Sequence, residues 1–180
     1  MTRTPQKTGL DQIKHSIRSI PDFPKQGILF RDITTLLNNK RLFKKAVDEL
    51  VKPFAAKKID YVIAAESRGF IFGGVLAYKL GCGFVPVRKP GKLPAQTHRF
   101  TYSLEYGSDA LEIHRDAFPE GARVLVLDDL LATGGTALAI VELVKQLKAK
   151  IVAIAFLIEL TGLKGRDKLK QYPVISLIKY

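Results

Sequence analysis

The 180-residue chain contains one cysteine, Cys82, and so cannot form an intrachain disulfide. Between Gly81 and Gly83 that thiol reads as a packing group rather than a redox centre. Histidine is almost as scarce. His15, His98 and His114 are scattered along the chain and, with a single Cys, supply no zinc-ligand spacing. Long hydrophobic runs are missing as well: a stretch such as Ile151 to Ile158 falls far below the ~20 residues that cross a bilayer. The opening MTRTPQKTG lacks a signal peptide's apolar segment, so no membrane partner is expected and a cytoplasmic location is the default expectation. Neither a Walker A loop nor a GxGxxG fingerprint is present, which excludes the two familiar nucleotide loops. With no internal repeat, low-complexity tract or linker, residues 1–180 are expected to form a single domain.

What is present suits a compact enzyme. Hydrophobic residues make up 47% of the chain, enough for a sizeable core. The formal net charge of +12 raises nucleic acid as a partner, but the lysines stand singly or in pairs (Lys44, Lys45, Lys57, Lys58, Lys145, Lys148) and no recognisable RNA-recognition motif accompanies them. A solvated basic surface is the favoured reading, no nucleic-acid partner is expected, and the same field would favour a polyanionic substrate. Hydrophobic periodicity predicts helices over Asp11–Ile20, Arg41–Phe54 and Phe70–Leu80. Strands are predicted over Tyr61–Ala65, Phe84–Val87, Tyr102–Leu104, Leu111–Ile113, Val124–Leu127, Ile151–Ile158 and Val174–Ile178. This alternation implies an α/β fold with a doubly wound, mainly parallel sheet, interrupted near the N-terminus by the Pro-rich segment Pro21–Gly27.

The richest segment is VLVLDDLLATGGTALAIVELVKQL, Val124 to Leu147. A β-branched strand is expected to end at the carboxylates Asp128 and Asp129. Ala132, Thr133, Gly134, Gly135 and Thr136 then form a small-residue turn that opens an amphipathic helix at Thr136, with Ile140, Val141, Val144 and Leu147 on its apolar side. Backbone N–H groups and the positive end of the helix dipole converge on such a turn and suit a phosphate monoester, while the carboxylates can accept hydrogen bonds from sugar hydroxyls. The plainer alternative is a βα turn with Asp caps.

Three further segments carry polar chemistry. Glu66-Ser67-Arg68-Gly69 sits between a strand and a helix and offers another set of anion-binding N–H groups, although Arg68 alone would pass for a surface arginine. Arg88, Lys89 and Lys92 form the densest local positive cluster and, read by themselves, equally describe a solvated turn. Ala95 to Ser103 is polar with little core-forming power, and is expected to be mobile.

DDLLATGGT resembles the signature of type I phosphoribosyltransferases, which hold 5-phosphoribosyl 1-pyrophosphate (PRPP). PDFPKQGILFRDIT (Pro21–Thr34), ESRGFIFG (Glu66–Gly73), VRKPGKLP (Val87–Pro94), YSLEYG (Tyr102–Gly107) and ELTGLKGR (Glu159–Arg166) extend the resemblance over nearly the whole chain, to the adenine-specific members. It implies transfer of the phosphoribosyl group from PRPP to N9 of adenine, giving AMP and pyrophosphate. It also implies a small N-terminal hood, approximately residues 1–35, and a homodimer.

By the same resemblance Asp128 and Asp129 hold the ribose hydroxyls and Ala132 to Thr136 the 5-phosphate. Arg68, Arg88, Lys89 and Lys92 take the pyrophosphate, with Tyr106 near the donor's phosphates. Arg68 and Glu105 are the implied catalytic residues, Glu105 assisting proton handling at the base. Main-chain groups of Leu29 and Arg31, with Phe30 between them and Leu160 as an apolar wall, read adenine. The Glu66–Ser67 peptide is expected to be cis, residues 95–103 are expected to close over the donor, and Mg²⁺ is expected to ride on PRPP oxygens and water rather than on protein ligands. Two alternatives stay open: another purine as acceptor, because the base pocket is not shared across the wider family, and a noncatalytic PRPP-binding regulator of nucleic acid.

Overall fold

The computed structural model describes residues 9–103 and 108–180. The chain divides into two compact units, residues 1–49 and 50–180. The first carries α1 (Gly9–Ser16), β1 (Arg18–Ile20), β2 (Phe30–Asp32), α2 (Thr34–Leu37) and most of α3 (Lys40–Val51). The single helix expected over Asp11–Ile20 is therefore a helix followed by a strand. The Ser16 hydroxyl donates back to the Ile13 carbonyl at 2.7 Å, and Arg18–Ile20 pairs antiparallel with Phe30–Asp32, so cross-strand pairing takes residues that periodicity assigned to the helix. Asp32 anchors this unit. Its carboxylate accepts from Arg18 Nη2 at 2.5 Å, from the Thr34 amide at 2.9 Å and from the Thr34 hydroxyl at 2.7 Å. The Thr34 bonds, then Arg18, hold its pKa down to about 2. Phe23, joined to Pro24 by a cis peptide, packs edge-on against Phe30.

The second unit is built on a five-stranded sheet. Its elements are a 3₁₀ turn at Lys52–Phe54, β3 (Tyr61–Ala65), α4 (Arg68–Leu80), β4 (Gly83–Val87), β5 (Thr97–Ser103), β6 (Ser108–His114), β7 (Arg123–Leu131), α5 (Gly135–Gln146), β8 (Lys150–Glu159), 3₁₀ turns at Thr161–Leu163 and Gly165–Leu169, and β9 (Val174–Lys179). The sheet order is β4-β3-β7-β8-β9, and every pair in it is parallel. The chain steps from β3 through α4 to β4 in one direction and from β7 through α5 to β8 in the other. Crossovers of one hand must then place the two helices on opposite faces. The side chains agree: Ile63, Ala65, Val124, Val126, Ile154 and Phe156 share one buried cluster with Ala137, Ile140, Val141 and Val144 of α5, whereas the α4 backbone at Gly73 lies against Ala64. The resulting doubly wound parallel sheet is the expected fold.

Two strand assignments need correction. β7 continues past Leu127 to Leu131, because the ladder to β8 extends as far as Leu131↔Glu159, so Asp128 and Asp129 lie inside the strand rather than after it. The segment read as polar and poor in core-forming power is largely strand β5, paired with β6 from Thr97↔His114 to Ser103↔Ser108. Phe100 and Tyr102, two residues apart, both pack against the core, an alternation outweighed in the sequence by His98, Arg99 and Thr101.

The C-terminal end of β8 is fixed by an ion pair. Arg166 Nε and Nη2 donate to Glu159 at 2.9 and 2.5 Å. Those bonds outweigh burial and lower the Glu159 carboxyl from 4.5 to about 2. Because the folded state binds this proton less readily than the unfolded chain, the stabilisation is complete above pH 4.5 and is lost as pH falls through about 2. By linkage it amounts to about 3 kcal/mol. In urea unfolding between pH 4.5 and 2, Glu159→Gln is expected to lose less stability than the wild type over the same interval; equal losses would contradict the assignment.

Gly165 makes the closest backbone approach in this unit. A Cβ there would lie 2.1 Å from the Ala132 carbonyl oxygen, and one on Gly134, whose φ is +80°, would lie 2.5 Å from the Gly165 oxygen. Gly165→Ala must therefore push the 132–134 turn away, and is expected to cost roughly 2 kcal/mol, or a melting temperature lower by about 4–8 °C. An unchanged transition in calorimetry would contradict this.

Candidate active site

In an open parallel sheet the ends of the strands are accessible where neighbouring crossovers diverge, and here that place lies between the C-terminal ends of β3 and β7. Each strand leads into a helix through a short turn, Glu66–Ser67 after β3 and Ala132–Gly134 after β7. The first N–H groups of α4 and α5 lack acceptors within their own helices, so both turns direct donors toward the crevice. Gly134, in the left-handed region, caps α5. The helix begins at Gly135, one residue before the expected Thr136. The Glu66–Ser67 peptide is cis, as the resemblance implied.

A cavity of about 210 Å³ opens there, lined by Arg68, Asp128, Asp129 and the continuous run Leu130 to Ala137. Eight of the expected site residues thus meet in one place: Arg68, Asp128, Asp129, Ala132, Thr133, Gly134, Gly135 and Thr136. The Asp129 amide donates to Asp128 Oδ1 at 2.8 Å, and Arg68 Nη2 lies 2.9 Å from Asp129 Oδ2. That approach is too poorly aligned for a hydrogen bond, so Asp129 Oδ2 is buried without one. Burial raises the pKa of both carboxyls. Asp128 is raised further by the charge of Asp129, while Arg68 pulls Asp129 part of the way back. A buried carboxylate oxygen with unused lone pairs is costly unless a donor arrives, and a sugar hydroxyl is such a donor.

Arg88, Lys89 and Lys92 follow β4 and do not line that cavity. Each is paired with a carboxylate. Glu66 accepts from Arg88 Nε at 2.8 Å and from the Lys89 amide at 3.1 Å, and its carboxylate lies 3.0 Å from Lys92 Nζ. Burial alone would raise Glu66, but these bonds outweigh it and leave its pKa below the ordinary value. Lys89 Nζ is bonded to Asp109. The loop is fastened to β6 by reciprocal backbone bonds between Arg88 and Glu112 and by the Gly91 amide donating to the buried Glu112 carboxylate. RKPGK is thus not a free positive patch; it is a charge-compensated loop whose tip, Pro90 to Lys92, is exposed.

The remaining expected residues fall elsewhere. Phe30 and Arg31 lie half-buried in β2 and Leu29, 48% exposed, just precedes it, all three in the N-terminal unit. Leu160 follows β8 in the other unit, where its amide donates to the Leu131 carbonyl at 2.9 Å. Glu105 and Tyr106 lie outside the described residues. Asp109, Glu112 and Gly165 are contacts that sequence reasoning missed: each meets its partner across 20 to 33 positions of chain, and no local pattern encodes such pairings.

Residues 32–179 match the family described as "Phosphoribosyl transferase domain". An adenine phosphoribosyltransferase of Brachyspira hyodysenteriae is 56% identical over 169 residues, which is 94% of this chain and 99% of the relative. The crystal structure of adenine phosphoribosyltransferase from Thermoanaerobacter pseudethanolicus superposes with a TM-score of 0.93 at 56% identity, covering 95% of this chain and 99% of the other. That of the Saccharomyces cerevisiae enzyme, complexed with adenine and an imino-altritol bisphosphate, gives 0.89 at 47% identity, covering 94% and 98%. The family match, the parallel sheet and the glycine turn beside paired carboxylates converge: the chain belongs to the phosphoribosyltransferases, within the adenine phosphoribosyltransferase family.

Proposed function

We propose that the 210 Å³ cavity beside Asp128 and Asp129 receives the ribose 5-phosphate half of PRPP, and that the Ser67–Gly69 turn with Arg88, Lys89 and Lys92 receives its pyrophosphate. The reaction is transfer of the 5-phosphoribosyl group from PRPP to N9 of adenine, giving AMP and pyrophosphate, a purine-salvage step. The observation that carries this assignment is the meeting of Arg68, the acidic pair and the Ala132–Thr136 turn around one cavity.

N9 forms a bond to C1 of the ribose as the bond from C1 to the pyrophosphate oxygen breaks, through an oxocarbenium-like transition state, and N9 loses its proton. The chain's contribution is positioning and electrostatics. Asp128 and Asp129 accept from the ribose hydroxyls, N–H groups of the turn and the Thr133 and Thr136 hydroxyls donate to the 5-phosphate, and Arg68 faces the leaving charge. Glu105 and Tyr106 keep the roles implied by resemblance, proton handling at the base and contact with the donor's phosphates. So do Leu29, Phe30, Arg31 and Leu160 in reading adenine.

Among the described residues no group of three or more His, Cys, Asp or Glu side chains could hold a metal ion alone. Mg²⁺ would be carried on PRPP oxygens and water, with Asp128 and Asp129 accepting from the ribose hydroxyls. Bound in that way, Mg²⁺ would neutralise charge on the leaving pyrophosphate. The proposal also includes a single functional domain with an N-terminal hood, a cytoplasmic location and a homodimer. Ile71 and Tyr78, seven residues apart on α4, are both exposed and favour an apolar partner for that helix.

Protein supplied with PRPP, Mg²⁺ and adenine is expected to release AMP, with hypoxanthine and guanine as poor acceptors in parallel reactions; folded protein that makes no AMP would overturn the reading. Asp129→Asn, which removes the buried negative acceptor but keeps its shape, is expected to lower kcat/KM for PRPP by at least ~100-fold with an unchanged circular dichroism spectrum. Wild-type turnover in that variant would take Asp129 out of the site.

A further inference from the structure

Lys89 does not stand alone beside the pyrophosphate turn. Its ammonium is bonded to Asp109 on β6, and the same Asp109 oxygen accepts from the Tyr102 hydroxyl of β5 at 3.1 Å. Tyr102 also adjoins the Ala132–Thr136 turn that lines the cavity. The Tyr102 ring lies beneath that turn: a Cβ on Gly135 would touch it at 3.4 Å. Tyr102 is 9% exposed, and the Asp109 side chain is 26% exposed. Burial works to raise the Asp109 pKa, but the bonds from Lys89, from the Ala110 amide and from Tyr102 prevail and keep it low. Packing of the Tyr102 ring on Gly135 and the polar contacts Tyr102–Asp109–Lys89 therefore link the 5-phosphate turn to a pyrophosphate lysine.

We propose that Asp109 is a positioning residue that acts as the resident counter-ion of Lys89, and that Tyr102 sets how firmly it holds that lysine. The inference rests on the proposed assignment of Lys89 to pyrophosphate. The physical reasoning is competition. An anion that recruits Lys89 must draw the ammonium from Asp109, and the bond from Tyr102 spreads the carboxylate's charge, which weakens its hold on the lysine. The ring of Tyr102 supports the phosphate turn, while its hydroxyl adjusts the charge seen at the other end of the donor.

Opposite effects follow from two shape-conserving variants. Asp109→Asn removes the competing charge and is expected to lower both the inhibition constant of the product pyrophosphate and the KM for PRPP by about 3–10-fold. Tyr102→Phe keeps the ring but frees Asp109 to grip Lys89, and is expected to raise both constants by about 3–10-fold. These factors correspond to the net worth of one hydrogen bond. The KM for adenine is expected to stay at its wild-type value, while Asp109→Asn lowers the melting temperature slightly because it loses the ion pair with Lys89. In a Lys89→Met background Tyr102→Phe is expected to have no further effect on pyrophosphate, because the two act through one contact.

A purely structural role for Asp109 and Tyr102 predicts that both variants weaken pyrophosphate binding, and that result would overturn the proposal. So would an undiminished Tyr102→Phe effect without Lys89. Lys89→Met binding pyrophosphate as well as wild type does would instead overturn the assignment of Lys89 itself, and wild-type protein that forms no AMP would overturn the reading of the whole site.

Discussion

The constraint on which the site depends is the reversal of direction between β3 and β7. Each strand hands the chain to a helix on a different face, so neither crossover covers the crevice between their ends. Two helix N-termini and their turns can then face one small volume. A parallel sheet supplies this only because both faces are covered, here by α4 against Ala64 and by α5 against Val124 and Val126. The same cover accounts for the uniformly apolar strands read in the sequence.

Such a site concentrates charge, and the protein compensates it locally. Arg68 faces Asp129, Arg88 and Lys92 face Glu66, and Lys89 faces Asp109. Every cation assigned to the donor's phosphates thus has a carboxylate partner inside the fold. An arriving polyanion exchanges partners rather than meeting bare positive charge. The exchange lowers the gain per contact but makes recognition depend on placing several charges together, which favours a ligand with phosphates at both ends.

The alternation of strands and helices was legible because a doubly covered sheet writes continuous apolar runs such as Tyr61–Ala65 and Val124–Leu127. The cavity was legible because Asp128 through Thr136 are contiguous, so that one turn brings most of its lining together. Arg68 was legible through the similar local grammar of strand, turn and helix. Less visible was anything depending on pairing across the chain. Arg18–Ile20 reads as the tail of a helix until β2 is placed beside it, and Ala95–Ser103 reads as polar and mobile until Phe100 and Tyr102 are seen to pack against the core. The carboxylate partners of the RKPGK loop lie on two other elements, Glu66 in the turn after β3 and Asp109 and Glu112 on β6. Gly165 carries no signal of its own, because its requirement comes from a carbonyl more than thirty residues away.

The central claim is that the turn after β7 is the seat of the ribose 5-phosphate. A crystal structure of this protein with AMP bound tests it most directly. The account predicts phosphate oxygens within hydrogen-bond distance of the amides of Thr133 to Thr136, with the ribose hydroxyls on Asp128 and Asp129. AMP bound elsewhere, with only solvent between Arg68 and the Ala132–Thr136 turn, would contradict it.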